Sequence, residues 1–297
     1  MTAFLVLALS LPCVYPGPSA EARSAVEAAG IAAPRLCTDA DLAQREATPT
    51  PGTTPRPGVA SPTRAPFIVA NGWRFMRRPR ARYVYEVPAG KAALAAAEAF
   101  AYGADAALKI APADARPLGE MLRFLVALPP VDLPAVADFA VVDDGTAVTG
   151  EVMNLLARRN LLFEIVQAPQ PRFAINVRVG SPEYPREDAA DPSAFALKIR
   201  RRLTDDARSL RVYGSEVVVC RLTSGAGRAR LHLINYGGRE IEGLRLRVRG
   251  SYSAGEAQVS GAGRVPLQDR SVASGATEFS LPRLTTYAVI DLTAALR

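Results

Sequence analysis

Residues 138–168 constrain the fold of this chain more than any other stretch. Phe139–Val142 is a short apolar run that ends in Asp143, Asp144 and Gly145. Val148, Val152, Leu155 and Leu156 then fall at i, i+4, i+7 and i+8, with Glu151, Asn154, Arg158 and Arg159 elsewhere. That spacing gives a helix one apolar face. Asn160 stands where a left-handed C-cap residue is expected, and residues 161–166 run apolar again. Strand, tight turn, helix and strand in this order predict a right-handed βαβ unit with parallel strands.

The same rhythm precedes it. Residues 67–70 and 82–87 read as strands, the second with Tyr83 and Tyr85 on one face and Val84 on the other. Residues 91–102 have strong helix propensity and stop at Gly103; residues 106–110 form a short buried strand. Residues 116–128 place Leu118, Met121, Leu122 and Leu125 on one helical side before Pro129-Pro130. After 166 the expectation is a strand over 173–179. A helix follows, with Asp191 as N-cap, Pro192 at its first position and an apolar edge of Phe195, Ile199 and Leu203. Residues 67–213 therefore read as one α/β domain.

From Glu216 the period changes to two. Seven short candidate strands, separated by glycine-rich turns, predict an antiparallel β-sandwich over 214–297. Gly237-Gly238 is a hairpin signal. In residues 244–249, Leu244, Leu246 and Val248 alternate with Arg245, Arg247 and Arg249, a core face against an outward face.

The N-terminal part reads differently. Residues 3–11 are an apolar run of signal-peptide length with small residues near Ala20, so 1–20 are expected to be a leader and the protein to be exported. Residues 21–30 make a short helix and 34–38 a strand. Residues 48–66 are so rich in Pro and Thr that they read as a linker unable to pair a backbone ladder, closing an N-terminal segment of 21–66. No later run approaches the ~20 apolar residues of a membrane span.

The net charge of +7 invites a nucleic-acid reading, but only Lys91, Lys109 and Lys198 are lysines. The arginines are scattered without a block longer than Arg200-Arg201-Arg202. Nucleic acid is disfavoured as a partner. Cys13, Cys37 and Cys220 suit no zinc spacing, and an odd total is not a complete disulfide framework. No metal and no cofactor is expected: His232 is the only histidine, and two aspartates at the helix start would repel a pyrophosphate. Asp143 and Asp144 are expected to satisfy that helix start or to contact a ligand at the strand's end.

Carboxylate pairs remain as candidate chemistry. Glu86 ends a strand, the position at which α/β barrels carry catalytic groups. Glycoside hydrolysis would need a second carboxylate opposite it, and Asp105, Glu183 and Glu187 are the candidates. Trp73, Tyr83, Tyr85 and Tyr184 are candidates for stacking on sugar rings. The arginine stripe at 245, 247 and 249 would suit sulfate, uronate or phosphate groups.

Three segments carry a family resemblance. GTAVTGEVMNLLARRNLLFEIV resembles the opening βαβ of the amidotransferase-like, flavodoxin-like domain of bacterial β-galactosidase-type glycoside hydrolases. VPAGKAALAAAEAFAYGADAALKI resembles the closing helix and strand of their catalytic barrel, and FSLPRLTTYAVIDL the last strands of their terminal β-sandwich. The resemblance implies an exported multidomain protein of carbohydrate metabolism, with an amidotransferase-like domain that serves architecture and assembly. It would have carbohydrate as partner, and a homo-oligomer is compatible with it. A complete barrel takes about 250 residues and only about 130 precede Asp138, so a partial barrel is expected. The first expectation is therefore a non-catalytic or degenerate relative that binds glycan or assembles with a partner. The alternatives are an active glycosidase using Glu86 and an anionic-polymer-binding or scaffold module using the arginine face.

Overall fold

A computed structural model describes residues 11–54 and 67–295. Residues 1–10 of the expected leader and 55–66 of the expected linker lie outside the described residues. In chain order, the first part comprises β1 (Cys13–Tyr15), α1 (Ala20–Ala28), α2 (Asp39–Ala43), β2 (Glu46–Thr48), β3 (Gly52–Thr54) and β4 (Phe67–Val69). It continues through α3 (Gly72–Arg77), β5 (Arg82–Glu86), α4 (Ala92–Tyr102), β6 (Asp105–Lys109) and α5 (Ala115–Ala127). Next come β7 (Phe139–Val142), α6 (Ala147–Arg158), β8 (Phe163–Val166), β9 (Asn176–Val177) and α7 (Pro192–Leu203). The last part is strand only: β10 (Leu210–Tyr213), β11 (Val218–Gly225), β12 (Arg228–Asn235), β13 (Ile241–Arg249) and β14 (Tyr252–Val259). It ends with β15 (Gly263–Val265), β16 (Gln268–Ala273), β17 (Ala276–Leu284) and β18 (Tyr287–Ala294).

The chain is thus mixed α/β with parallel and antiparallel sheets, and its local signals act as their chemistry requires. Gly103 ends α4 at φ +64° and Asn160 follows α6 at φ +51°, both left-handed. Thr146 caps α6 by accepting from the Thr149 amide at 3.3 Å, and Asp191 caps α7 by accepting from the Ala194 amide at 3.0 Å. β7 pairs parallel with both β8 and β9, as the βαβ reading requires.

Residues 67–213 contribute to two parallel sheets. One parallel sheet runs β1-β6-β5-β2 and a second runs β8-β7-β9. Two of the four strands of the first sheet come from before residue 49, so the expected N-terminal segment is part of the layered body rather than a lead-in to it. Val14 in β1 is wholly enclosed and pairs with Leu108. A disulfide joins Cys13 to Cys37 with Cα atoms 5.6 Å apart, while Cys220 is a buried free thiol. Cleavage near Ala20 would remove a buried strand and half of that bridge. The Pro/Thr stretch also pairs where it was expected not to: Gly52–Thr54 lies antiparallel to Phe67–Val69. Its prolines Pro49 and Pro51 fall between the short strands, where no ladder bond is needed. Of the expected strand over 34–38, Leu36 makes a parallel bridge to Val14, directly after a 3-10 turn at Ala33–Arg35, and GWRFMR, unsignalled in the sequence, is the helix α3.

The two antiparallel sheets run β10-β13-β17-β16 and β11-β12-β18-β14-β15. Leu244, Leu246, Val248, Phe279 and Leu281 of one share a core with Cys220, Leu231, Leu233 and Ile290 of the other. The opposite face of the second sheet is covered too. Val219, Ile234, Tyr236, Tyr287 and Val289 belong to the core that contains Phe100 of α4 and Leu118, Leu122 and Leu125 of α5. This explains why seven consecutive residues of β12 are buried. Gly237-Gly238 does not close a hairpin, because β12 and β13 belong to different sheets. The hairpin lies at Ala226-Gly227, both left-handed, between β11 and β12. Among the described residues no helix is long and apolar enough to cross a membrane.

Candidate functional site

Two strand-end regions hold the residues singled out from sequence. In the first parallel sheet, Glu86 ends β5 and is largely exposed; Lys109, at the end of β6, reaches its Oε1 with Nζ at 3.1 Å. Asp105 does not approach it. β5 and β6 are in parallel register with Arg82 opposite Asp105 and Glu86 opposite Lys109. The two acids therefore stand at opposite ends of the sheet, about 13 Å apart at ~3.3 Å per residue. A glycosidase pair needs roughly 5–9.5 Å. Asp105 instead holds Arg45 at 2.6 Å and Arg82 at 3.2 Å.

The second region is a cleft of about 1100 Å³ at the carboxyl ends of β7, β8 and β9, where open α/β sheets take ligands. Asp143, Asp144, Gln167, Arg178, Arg186 and Glu187 line it. Arg77 of α3 grips Asp143 with Nε at 2.9 Å and Nη2 at 2.7 Å, and this guanidinium holds the Asp143 carboxyl below its ordinary range. Asp143 also accepts from the Gly145 amide at 3.0 Å. Asp144 accepts from the amide and hydroxyl of Thr146 at 3.0 and 2.7 Å. Burial acts to raise its pKa, but the Thr146 bonds prevail and it is lowered. Both aspartates are thus tied into the start of α6 while their outer edges face the cleft. Arg186 approaches Asp144 at 3.6 Å.

The expected sugar-stacking aromatics are inside. Trp73 is buried where α3 packs on α6; a Cβ on Gly150 would meet its ring at 3.0 Å. Tyr184 is enclosed beside Phe195, its hydroxyl accepting from Arg202 at 3.1 Å. Tyr83 and Tyr85 are buried as well. Glu183 is exposed and pairs with Arg202, in the second region rather than beside Glu86. Large aromatic rings at these positions serve packing, since a ring without solvent contact offers no face to a ligand. The arginine stripe is likewise not an open one. Arg247 is buried, Arg245 holds Glu278 at 2.8 Å, and Arg249 donates to the Ala207 carbonyl at 3.4 Å.

Sequence reasoning missed Glu98. This fully enclosed carboxylate sits in α4 amid alanines. Its Oε1 accepts from the Asn71 amide at 2.6 Å and the Tyr236 hydroxyl at 2.7 Å. Its Oε2 accepts from Asn71 Nδ2 at 3.0 Å and the Tyr85 hydroxyl at 2.5 Å. Burial raises its pKa, and the four donors act against that rise. The lone acid in an alanine run was the available signal. His232 is also buried, with Nδ1 2.6 Å from the Tyr287 hydroxyl, and desolvation, then Arg221 and Arg230, hold its pKa well below the usual value. Nearby, Arg230 grips Asp291 with two bonds of 2.7 Å and donates to the Pro129 carbonyl at 2.8 Å. Among the described residues no three His, Cys, Asp or Glu side chains gather as a metal-binding set.

No protein-family model and no curated protein matches the sequence. Among solved structures the chain is similar to alpha-L-fucosidase isoenzyme 2 from Paenibacillus thiaminolyticus, with a TM-score of 0.55 and 9% identity, covering 75% of this chain and 62% of that one. It is similar at a TM-score of 0.45 and 8% identity to a rhamnosidase from Novosphingobium sp. PP1Y, covering 73% and 32%. For Gan42B, a GH42 beta-galactosidase from G. stearothermophilus, the values are 0.40 and 10%, covering 95% and 59%. The first likeness is one of fold alone. The chain spans about 62% of that fucosidase's length.

Proposed function

We propose that the chain is a glycoside-hydrolase-related protein that binds glycan or assembles with a partner and does not hydrolyse glycosidic bonds. In this reading the sheet β1-β6-β5-β2 is a partial barrel and β8-β7-β9 an amidotransferase-like sheet. The two antiparallel sheets are a β-sandwich, and the protein is exported. The observation that carries the reading is the isolation of Glu86. Its neighbour is the cation Lys109, and Asp105 stands at the far end of the strands. A carboxylate opposed by an ammonium has no second carboxylate to share the acid and nucleophile roles. The disulfide at Cys13–Cys37 suits an oxidising compartment.

The second reading, an active glycosidase using Glu86, draws support from the exposure of that side chain at a strand's carboxyl end. Chromogenic glycosides separate the two. The proposal expects no release above the buffer blank, together with saturable, salt-insensitive binding of neutral oligosaccharides. Turnover that disappears in Glu86→Gln would overturn it in favour of the second reading. The third reading, an anionic-polymer or scaffold module, loses its basis at residues 245–249, where Glu278 already engages Arg245 and Arg247.

A further inference from the structure

A different arginine cluster lies where the end of α6, the last turn of α7 and β10 meet. Arg158 and Arg159 come from the first, Arg200 from the second, and Arg208 and Arg211 from the approach to and body of the third. All five line one cleft of about 210 Å³, in which Glu216 is the only lining carboxylate among the described residues. A neighbouring pocket of about 270 Å³ shares Arg159, Arg200 and Arg208, and its remaining wall is mostly aliphatic, with Leu161, Ala196 and the exposed Leu197.

The chain itself demonstrates what these guanidinium groups grip. Asp205 is held by Arg200 through Nε at 3.2 Å and Nη2 at 3.1 Å, by Arg208 at 3.4 Å and by Arg211 at 3.3 Å. Three cations thus converge on one carboxylate, and Arg159, exposed at the rim, has no ion pair among the described residues. Arg208 is nine-tenths buried, and its enclosed Nε has no acceptor. Burial, then the Arg200 charge, pull its pKa below the ordinary value. Asp205 and Glu216 offset part of this charge, but Arg159 at the rim and the enclosed Nε of Arg208 are left without a carboxylate, and a tetrahedral oxyanion satisfies several guanidinium forks at once.

We propose that this cleft is an oxyanion site that takes the phosphate or sulfate group of a small ligand, the uncharged body of which lies along the adjoining aliphatic pocket. The site is separate from both strand-end regions and does not rest on the glycan reading. Isothermal titration of the full chain with inorganic phosphate and inorganic sulfate, against chloride at matched ionic strength, tests it. Saturable one-to-one binding of either anion is expected, and the tighter of the two identifies the source group. Arg159→Gln, a surface change that leaves the fold intact, is expected to weaken it about tenfold, the loss of one charge-assisted hydrogen bond. Arg211→Gln, checked for folding by its urea midpoint, should weaken it at least as much, and Arg116→Gln, an exposed change on α5 outside the cleft lining, should leave it unchanged. Absence of saturable binding by both anions, or equal weakening by Arg116→Gln, overturns the proposal.

Discussion

Tyr236→Phe probes the buried carboxylate that joins the layers. The substitution keeps the ring among its apolar neighbours and removes only the hydroxyl that donates to Glu98 at 2.7 Å. Both side chains are sealed from water, so no solvent molecule replaces the lost donor. A hydrogen bond to a charged group contributes about 1.5–3 kcal/mol, which places the expected loss near 2 kcal/mol. Its pH dependence follows from the raised Glu98 pKa, caused first by burial. The native state then holds this proton more tightly than the unfolded chain. The contribution of Glu98 is complete below its unfolded pKa of about 4.3 and declines as pH rises through the folded value. Tyr236 limits that decline because its hydroxyl favours the ionised form. Without it the folded pKa climbs further, and the loss is largest at high pH. At low pH the pair is neutral and its bond contributes only about 0.5–1.5 kcal/mol. Urea unfolding at about pH 8 and about pH 5 reads the direction of that change, with an unchanged m-value certifying the comparison. A loss below about 0.5 kcal/mol, or one larger at the acid end, would refute the reasoning.

Two further outcomes rest on single observations. Burial depresses the His232 pKa, so the unfolded chain takes up a proton near pH 6.5 that the native state refuses; stability should fall on acidification below that point by up to ~1.4 kcal/mol per pH unit. Comparison of urea midpoints with His232→Gln checks this, since the variant should lose that part of the slope. Reduction of the Cys13–Cys37 bridge, which closes a loop of 24 residues' separation, should cost about 3 kcal/mol. Thermal melts with and without reductant would show it, and unchanged melts would refute it.

What the sequence revealed was whatever depends on near neighbours. The left-handed Asn160 and Gly103, the Asp191 cap and the apolar stripe of α6 are local conformational choices, and each is where its residue type demanded. β1 and β2 escaped notice because three-residue strands carry too few positions to establish a period. The burial of Tyr85, Trp73 and Tyr184 was hidden for another reason: an aromatic ring on a short strand, helix or loop looks the same from sequence whether it faces solvent or core. The partners of Glu98 lie 13, 27 and 138 residues away, so only the tertiary fold unites them. The alternation of Arg245, Arg247 and Arg249 correctly marked one face of β13. It could not disclose that Glu278, on the adjacent strand, already occupies that face.

The central strand layer, clothed on each side, bears on how this polypeptide can be divided. Cutting it near residue 214, where composition turns from helix-rich to strand-rich, would strip the cover from Tyr236, Tyr287 and Val289 and leave Glu98 without one of its hydroxyl donors. The change in periodicity marks a change of architecture, but it is no seam. The strand-rich tail acts as a wall of the helical half, and the two are expected to melt together as one unit.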